Sequence, residues 1–461
     1  MLKKCILLMS FFSVGLLVYS QNMNIVWQKV IGGSNWDVSP IIINSPGNDG
    51  YYLIGYSRSN ISGDKTENSF GGDDVWVVKV DNDGNKLWDK TFGGDQADSP
   101  VDAKVKNDTI YVLAKTFSGI SGNKSTAGYG LTDAWLIALD LDGNLLFEQT
   151  YGGSDYDSPK NLAFGNNYAL LIAIESSSTN DGVKTSVNIG NYDLWLLNID
   201  RRNGSISSQA SFGTSDWDEF SKLETDASGN VYLLAATSVT DNDKTVSGFG
   251  SYDIWLLKLD QNLTKLDEGC YGGSDSEYGG ESDILVDGTD IYIVCSSQSD
   301  VSGNKTAPRY GGSTTRDYWL FRLDNNLDMV WDYTFGGDGG SFSDQSYVLE
   351  KNNDMLFIVG LSRTPSSTGT KTSPYYGNTD IWVVVTDLNG IEIAQGSYGG
   401  TEYDSAKSAT FDSDGYLFIA GTSNSNISGN KTQNSKGSHD YWLLKIDARK
   451  SVGVYNISSN Q

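Results

Sequence analysis

The chain has 461 residues, with 33 basic against 58 acidic side chains and a formal net charge of −25 at pH 7. This excess of acid argues against nucleic acid as a partner, because its phosphates have to be met by Lys and Arg, and against anionic membrane surfaces. Three cysteines in a chain of this length exclude a disulfide framework.

The first residues predict a secretory signal peptide. Lys3 and Lys4 precede an apolar run over residues 5–19, and the small residue Ser20 follows. A positive start, a short apolar core and a small residue before the cleavage point are typical of such peptides. We therefore assign residues 1–21 to a signal peptide and expect a secreted, extracellular or cell-surface protein that is soluble and inserts into no membrane.

One pattern returns seven times along the rest of the chain. It is an Asp-x-Trp, an apolar run and an Asp five residues after the Trp, first seen over residues 74–81. Successive tryptophans of the pattern are 59 to 64 residues apart. They are Trp76, Trp135, Trp195, Trp255, Trp319, Trp382 and Trp442. Self-similarity at a nearly fixed period is typical of a repeat architecture, so it decides the fold class.

Each repeat contains the same parts in the same order. A double glycine such as Gly93-Gly94 comes first, with Gly213-Thr214 as the one departure. An acidic residue follows at Asp37, Asp98, Asp157, Asp218, Glu277, Asp344 and Asp404. Two predicted strands and a polar loop come next, and the loop carries Lys65, Lys124, Lys184, Lys244, Lys305, Lys371 or Lys431. The Asp-x-Trp strand, a turn of Asp, Asn and Gly, and a fourth strand complete the unit.

Four short strands per unit, at a period near 60 residues, indicate the blades of a β-propeller. The third strand is apolar on both faces, as in residues 254–259, and therefore needs a neighbour on each side. The chain begins with a lone fourth strand, Asn24–Ile31, and ends on a third strand, residues 441–447. We predict an all-β, seven-bladed propeller of four-stranded blades over residues 22–447. The N-terminal strand completes the last blade, which leaves no open edge, and residues 448–461 form a C-terminal tail.

The repeated acidic residues are candidates for a cation site, because calcium takes oxygen ligands. The competing interpretation is that each accepts backbone hydrogen bonds at a strand end. Repetition in every blade favours this structural role, and the same applies to the Asp-x-Trp aspartates and to the lysines. We expect no cofactor, with calcium left open. We also expect each lysine to pair with an Asp or a carbonyl within its own blade.

Catalytic chemistry has few candidates. The single histidine, His439, is predicted in a loop, where it is interpreted as a solvated side chain. So few His and Cys argue against a zinc site. Cys270 and Cys295 fall on strands of different repeats, so we expect two half-buried thiols, with a disulfide as the alternative. Carboxylate pairs suited to glycoside hydrolysis stay open in a chain this acidic.

Departures from the repeat mark the candidate binding site, because a ligand site on a symmetric ring needs asymmetry. The fifth repeat has an enlarged loop over residues 307–316, and the sixth departs at residues 338–343 and 374–376. Arg and Tyr are favoured at recognition surfaces. The candidate binding residues are Arg309, Tyr310, Arg316, Phe342, Tyr375 and Tyr376. We expect them to share a face near blades five and six.

Residues 79–88, continuing to Gly93-Gly94, resemble the repeats of secreted bacterial β-propeller proteins common in the Bacteroidota, the SBBP-type repeats. The resemblance covers residues 24–447 and implies the propeller architecture and secretion. Residues 451–461 resemble the linker that precedes a C-terminal sorting domain in many such proteins. The Asp-x-x-Gly-x-x-x-Trp pattern is also similar to quinoprotein propellers, but those have eight blades.

These observations predict a monomeric, non-enzymatic binding or adhesion scaffold whose partner is an extracellular glycan or protein. The alternative is a carbohydrate-active enzyme, a glycoside hydrolase or lyase, built on the propeller. An enzyme needs a cluster of non-repeating carboxylates in one pocket, whereas a binder needs only an asymmetric aromatic face. The fold alone does not decide between them, because propellers carry many functions.

Overall fold

The computed structural model describes residues 23–338, 343–365 and 369–451, and the side chains up to Arg449. The predicted signal peptide, Phe342 and most of the predicted tail lie outside the described residues. Within them, seven separate four-stranded antiparallel sheets are present. The predicted seven-bladed, all-β propeller is therefore confirmed.

The strands follow the chain in order. Strand β1 is Asn24–Ile31. Blade 1 holds β2 Asp37–Asn44, β3 Tyr51–Ser57, β4 Asp74–Val80 and β5 Lys86–Phe92. Blade 2 holds β6 Asp98–Lys106, β7 Thr109–Thr116, β8 Asp133–Leu139 and β9 Leu145–Tyr151. Blade 3 holds β10 Asp157–Phe164, β11 Ala169–Ser176, β12 Asp193–Asp200 and β13 Ser205–Phe212. Blade 4 holds β14 Glu219–Thr225, β15 Val231–Thr237, β16 Asp253–Leu259 and β17 Lys265–Tyr271.

Blade 5 holds β18 Glu277–Asp287, β19 Asp290–Ser297, β20 Asp317–Leu323 and β21 Met329–Phe335. Blade 6 holds β22 Asp344–Asn352, β23 Met355–Ser362, β24 Asp380–Asp387 and β25 Glu392–Tyr398. Blade 7 holds β26 Asp404–Phe411, β27 Leu417–Ser423 and β28 Asp440–Asp447, with β1 as its fourth strand. A short 3-10 helix, Ala448–Ser451, follows.

The ring closes as the sequence predicts. Strand β1 pairs antiparallel with β28, in a register that runs from Asn24 opposite Asp447 to Ile31 opposite Tyr441. Blade 7 is therefore built from both ends of the propeller, and we call its contact with blade 1 the seam. We call the end of the ring with the double glycines and the lysine loops the upper face; the opposite end is the lower face.

Each repeat tryptophan is buried against the preceding blade. Trp76 belongs to one apolar cluster with Phe418 and Leu443 of blade 7, and Trp255 belongs to one with Leu171 and Leu196 of blade 3. Burying one Trp removes roughly 150–250 Å² from water, which contributes about 4–6 kcal/mol as an upper bound. The third strands, covered on both sides as predicted, thus form the core between blades.

Each of these indole N–H groups donates to an acceptor on the fourth strand of its own blade. The acceptors are Asp89, Glu148, Gln209, Glu268, Asp332, Gln395 and, on β1, Gln28. This position is hard to recognise in the sequence, because Asp, Glu and Gln alternate there. The closing strand therefore supplies the last blade with the same polar contact that the other six blades make internally.

The first glycine of each double glycine is required by an aspartate. In blade 1, Asp74 Oδ1 lies 1.9 Å from where a Cβ on Gly93 would stand. Asp74 Oδ2 accepts from the backbone N–H of Phe70 and Gly71, so the carboxylate cannot turn away without losing these bonds. The corresponding distance is 1.8–2.1 Å in five further blades and 2.5 Å at Gly213. Glycine therefore recurs at this position because a Cβ atom would collide with the aspartate carboxylate.

The departure Gly213-Thr214 has a local explanation. In blade 1, Ser59 Oγ donates to the acidic residue Asp37. Blade 4 has Val239 at the position of Ser59, and there Thr214 Oγ1 donates to Asp218 instead. In both blades the acidic residue accepts from a hydroxyl. The hydroxyl comes from the loop after the second strand in blade 1 and from the double-glycine position in blade 4.

The repeat lysines are buried in their loops, and six of them lie 5.4–5.8 Å above the ring of their blade's tryptophan. Lys184 Nζ donates to Ser178 O at 2.8 Å and Lys371 Nζ donates to Thr364 O at 3.1 Å, which confirms the predicted carbonyl pairing in these blades. Lys65 donates to the hydroxyl of Thr91 instead. Burial lowers the pKa of Lys65 and Lys184.

Blade 4 differs at this lysine. Its Lys244 has no oxygen partner among the described residues, and Cys270 stands where blade 1 has the hydroxyl of Thr91. Burial raises the pKa of Cys270 to about 12, so the thiol stays protonated. Cys270 and Cys295 are both free and buried, more deeply than the half-buried state expected from sequence.

Candidate functional site

The acidic residues that suggested calcium lie in pairs between blades. Each faces the Asp-x-Trp aspartate of the preceding blade, and the pairs are Asp440/Asp37, Asp74/Asp98, Asp133/Asp157, Asp193/Asp218, Asp253/Glu277, Asp317/Asp344 and Asp380/Asp404. Burial raises the pKa of Asp74 and Asp133 to about 6 and that of Glu277 to about 7. Within the described ranges, no group of three or more His, Cys, Asp or Glu could hold a metal ion.

Four aromatic side chains stand on the upper face next to these pairs; three are exposed, and Tyr403 is half-buried. They occupy the position just before the first acidic residue, and they are Trp36, Tyr156, Trp217 and Tyr403. Trp36 is 39% exposed and Trp217 is 47% exposed, unlike the buried repeat tryptophans. These residues were not among the predicted binding residues, although an aromatic residue precedes the acid in four of the seven repeats. Because the first strands line the central channel, these side chains surround its upper mouth.

One of these positions opens into a cavity of about 330 Å³ at the seam, which we call the seam pocket. Its aromatic wall is formed by Trp36 and Tyr56 of blade 1 and Tyr403 of blade 7, and its polar groups include His439 and Lys407. The Trp36 and His439 rings lie 4.6 Å apart, and Arg58 Cζ lies 5.2 Å from the Trp36 ring. An aromatic concavity with a few converging polar groups is typical of a small-ligand site.

The wall of the seam pocket contains an unusual backbone. Ser39 has φ of +54°, a conformation that residues other than glycine rarely adopt. Its N–H donates to Thr422 Oγ1 of blade 7 at 2.8 Å. In blades 2 and 3 a Ser-Pro pair follows the repeat acid directly, whereas in blade 1 Val38 separates Asp37 from Ser39-Pro40. Backbone in sparsely populated regions concentrates at functional sites, which fits the position of Ser39.

His439 is half-buried in the seam pocket, so its interpretation as a freely solvated side chain is wrong. Burial lowers its pKa, so the imidazole is neutral at pH 7. Its Nδ1 has no hydrogen-bond partner among the described residues. This nitrogen is itself buried, so the imidazole lines the pocket through other atoms of its ring.

The predicted residue Arg316 joins a polar network at the channel mouth. Arg316 Nη1 lies 2.6 Å from Glu281 Oε1, which also accepts from Gln345 Nε2 at 2.7 Å. The guanidinium stacks on Tyr278 at 3.5 Å. Tyr347 OH donates to Gln345 Oε1 at 3.0 Å, and the ring of Tyr347 lies 4.7 Å from Lys407 Nζ. The network thus reaches from blade 5 to the seam pocket.

Glu281 is in this network because blade 5 breaks the repeat twice. Strand β18 shifts register between Tyr278 and Asp283, where the chain has two more residues than the other first strands. The enlarged loop brings Arg316 to the same place. Burial raises the pKa of Glu281 despite Arg316, and the nearby Glu219 adds to the effect.

The other predicted binding residues are spread along the upper rim. Tyr310 and Tyr376 occupy one repeat position, where each packs against a loop glycine of the next blade. Arg309 Nη1 donates to the carbonyl of Gln298, and Tyr375 is 36% exposed. Of the candidates that the structure describes, Arg316 is the one that joins the network reaching the seam pocket. A ligand-binding role for the others stays a prediction.

The channel itself holds a second, larger cavity of about 540 Å³. Its polar side chains mostly tie neighbouring first strands together. Asp102 Oδ2 accepts from Asn161 Nδ2 at 2.7 Å, and Asp283 Oδ2 accepts from the N–H of Leu349 at 2.9 Å. Lys407 lines both this cavity and the seam pocket.

Comparison with known proteins gives distant similarities. No family model matches the chain. It is 24% identical over 317 residues to the regulatory protein FlaEY of Caulobacter vibrioides, covering 63% of this chain and 33% of that protein. The chain thus spans about a third of FlaEY's length.

Solved structures resemble the fold at low identity. The WD40 domain of Neurospora crassa Pan2 has a TM-score of 0.47 and 9% identity, covering 92% of this chain and 97% of that one. The quinohemoprotein alcohol dehydrogenase of Comamonas testosteroni has a TM-score of 0.45 and 9% identity, covering 92% of this chain and 76% of that one. A Dyadobacter fermentans protein of unknown function has a TM-score of 0.42 and 10% identity, covering 80% of this chain and 97% of that one. Such distant similarities imply no shared activity, and the SBBP-type resemblance stays a prediction.

A helix able to cross a membrane is not found in the part of the chain that the structure describes.

Proposed function

We propose that the protein is a secreted or cell-surface glycan-binding propeller whose ligand enters the seam pocket. Trp36, Tyr56 and Tyr403 supply apolar ring surface for the C–H face of a sugar, and the side chain of Lys407, which lines the same pocket, supplies a polar contact. Aromatic side chains of this kind combine a large apolar surface with a polar edge. The observation that carries the proposal is the asymmetric, aromatic pocket at the one place where the chain closes on itself.

The binding test is an array of bacterial, algal and host polysaccharides, with released sugar measured in the same wells. Retention without released sugar is the expected result. Trp36→Ala and Tyr403→Ala should each weaken binding at least tenfold, because each removes one aromatic wall of the pocket.

Trp217→Ala is the matched control. Trp217 occupies the position of Trp36 in blade 4 and is also exposed, but it lines no part of the seam pocket. Its replacement should leave binding unchanged. Equal loss in all three variants would place the ligand elsewhere on the upper face. No retention on any polysaccharide would contradict the glycan proposal and make a protein partner the next to test.

The second candidate, a carbohydrate-active enzyme, is favoured by one observation. Glu281 is a carboxylate outside the repeat, and the neighbouring Glu219 Oε1 lies 2.8 Å from where a Cβ on Gly280 would stand. The two carboxylates are thus near each other, and a pair of carboxyl groups is the minimum for glycoside hydrolysis. Released sugar that disappears in Glu281→Gln, while retention on the polysaccharide persists, would establish this function in place of simple binding.

A further inference from the structure

Two lysines at one repeat position have different surroundings. Lys160 and Lys407 each stand three residues after the first acidic residue of their blade. Lys160 Nζ in blade 3 lies 2.9 Å from Glu175 Oε2. Glu175 Oε1 also accepts from the N–H of Phe220 in blade 4 at 2.7 Å. In blade 3, the Lys160 ammonium therefore pairs with the Glu175 carboxylate of the same blade. The backbone N–H of Phe220 in blade 4 holds this carboxylate in place.

Blade 7 lacks that carboxylate. Thr422 pairs with Ser405 in the ladder as Glu175 pairs with Ser158, so Thr422 stands at the Glu175 position. Its hydroxyl keeps the contact to the next blade by accepting from Ser39 N–H. Among the described residues, none places a carboxylate oxygen within 4 Å of Lys407 Nζ, although the side chain is exposed to both cavities.

We infer that the seam pocket binds an acidic sugar, with the ligand's carboxylate at Lys407 in the place that the Glu175 carboxylate takes in blade 3. This inference rests on the proposed glycan function and narrows its ligand to a uronic-type residue. Ammonium–carboxylate hydrogen bonds are about twice as strong as neutral ones, so the charge adds affinity to the aromatic contacts.

The charge of the protein limits the ligand further. With a net charge of −25, the protein repels a polyanion as a whole. At physiological salt, interactions between charges more than about 8 Å apart are largely screened, so one ligand carboxylate can still pair with a lysine close to it. The ligand is therefore one acidic residue, such as a chain end, rather than a uniformly charged polysaccharide.

The test follows the ¹⁵Nζ signal of Lys407, assigned by its loss in Lys407→Met. Galacturonate and glucuronate are titrated into the protein, with galactose, glucose and acetate as comparison ligands. The uronates should shift the signal to saturation and bind at least tenfold more tightly than the uncharged sugars or acetate. Thr422→Glu should abolish uronate binding, since its new carboxylate pairs with Lys407. Lys160→Met is the matched control and should bind uronates as the parent does.

Equal binding of uncharged sugars would overturn the inference while leaving the glycan-binding function intact. Acetate binding as tight as that of the uronates would also overturn it, because the sugar ring would then contribute nothing. If no carboxylate shifts the signal at millimolar concentrations, the inference fails, and retention on the polysaccharide array shows whether the proposed function survives. A Thr422→Glu variant that binds uronate with unchanged affinity would contradict the placement at Lys407.

Discussion

Replacing Gln28 with Met tests how strongly the closing strand holds the ring. Gln28 Oε1 accepts from Trp442 Nε1 at 3.1 Å and from the N–H of Thr432 at 3.0 Å. Gln28 Nε2 donates to the carbonyl of Asn430 at 2.9 Å. Methionine keeps the volume and removes all three hydrogen bonds. The indole N–H of Trp442 is then left buried without an acceptor.

The expected cost is about 2–6 kcal/mol, because an unpaired buried donor costs about 1–3 kcal/mol and each of the two lost part-buried bonds adds about 0.5–1.5 kcal/mol. No turn joins strand β1 to β28, so the loss of these hydrogen bonds should make it easier for the two strands to separate. Amide hydrogen exchange of β28 should therefore become about 30- to 20,000-fold faster, at tenfold for each 1.4 kcal/mol.

Gln209→Met is the matched control. Gln209 makes the same three contacts in blade 3, with Trp195, Thr185 and Val183, but its strand is joined to the third strand by a turn. It should lower the free energy of unfolding without a selective effect on β28. Unchanged exchange of β28 in Gln28→Met would refute the role of β1 in holding the ring closed.

Three further predictions concern stability in urea. Gly93→Ala should cost more than about 3 kcal/mol, because its Cβ would meet Asp74 Oδ1 at 1.9 Å, a case of overpacking; Gly119→Ala, with nothing within 4 Å, should change little, and equal effects would contradict the steric argument. Cys270→Thr should stabilise the protein by about 1 kcal/mol, because its hydroxyl gives Lys244 the partner it lacks; a loss of stability would contradict this. Lowering the pH from 7 to 5 should also stabilise the protein, by about 1 kcal/mol per group, because a carboxyl whose folded pKa lies above its unfolded value takes up protons preferentially in the folded state. The groups with a pKa raised to about 6 from 3.8 are Asp74, Asp133, Asp218 and Asp380, and a fall in stability between pH 7 and 5 would show that they do not dominate.

The blade architecture could be predicted because each blade repeats the same local pattern. The Asp-x-Trp strand, the double glycine and the lone strand at residues 24–31 sufficed for the strand order and the closure. The role of the first glycine could not be derived in this way, because it depends on where Asp74 Oδ1 points. Gln28 also escaped notice, since its partner Trp442 is more than four hundred residues away in sequence.

The candidate site was harder to predict, because it depends on which blades become neighbours. Trp36 and His439 meet only after the ring has closed, and each looks ordinary in its own repeat. Arg316 was found from the enlarged loop, but its partner Glu281 lies on a strand that looked like the other first strands. The difference between Lys407 and Lys160 becomes visible only when Thr422 and Glu175 are placed at one ladder position.

The register of the closing strand also sets the orientation of the molecule. Asn24 and Asp447 lie side by side on the lower face, whereas Trp36 and His439 line the seam pocket on the upper face. The strands between the two faces span roughly 23 Å, at about 3.3 Å per residue. A tether, reporter or neighbouring domain fused at either end of the propeller therefore departs from the side away from the pocket. An immobilised molecule would present its pocket outward, and tension between the two ends would load blade 7 alone.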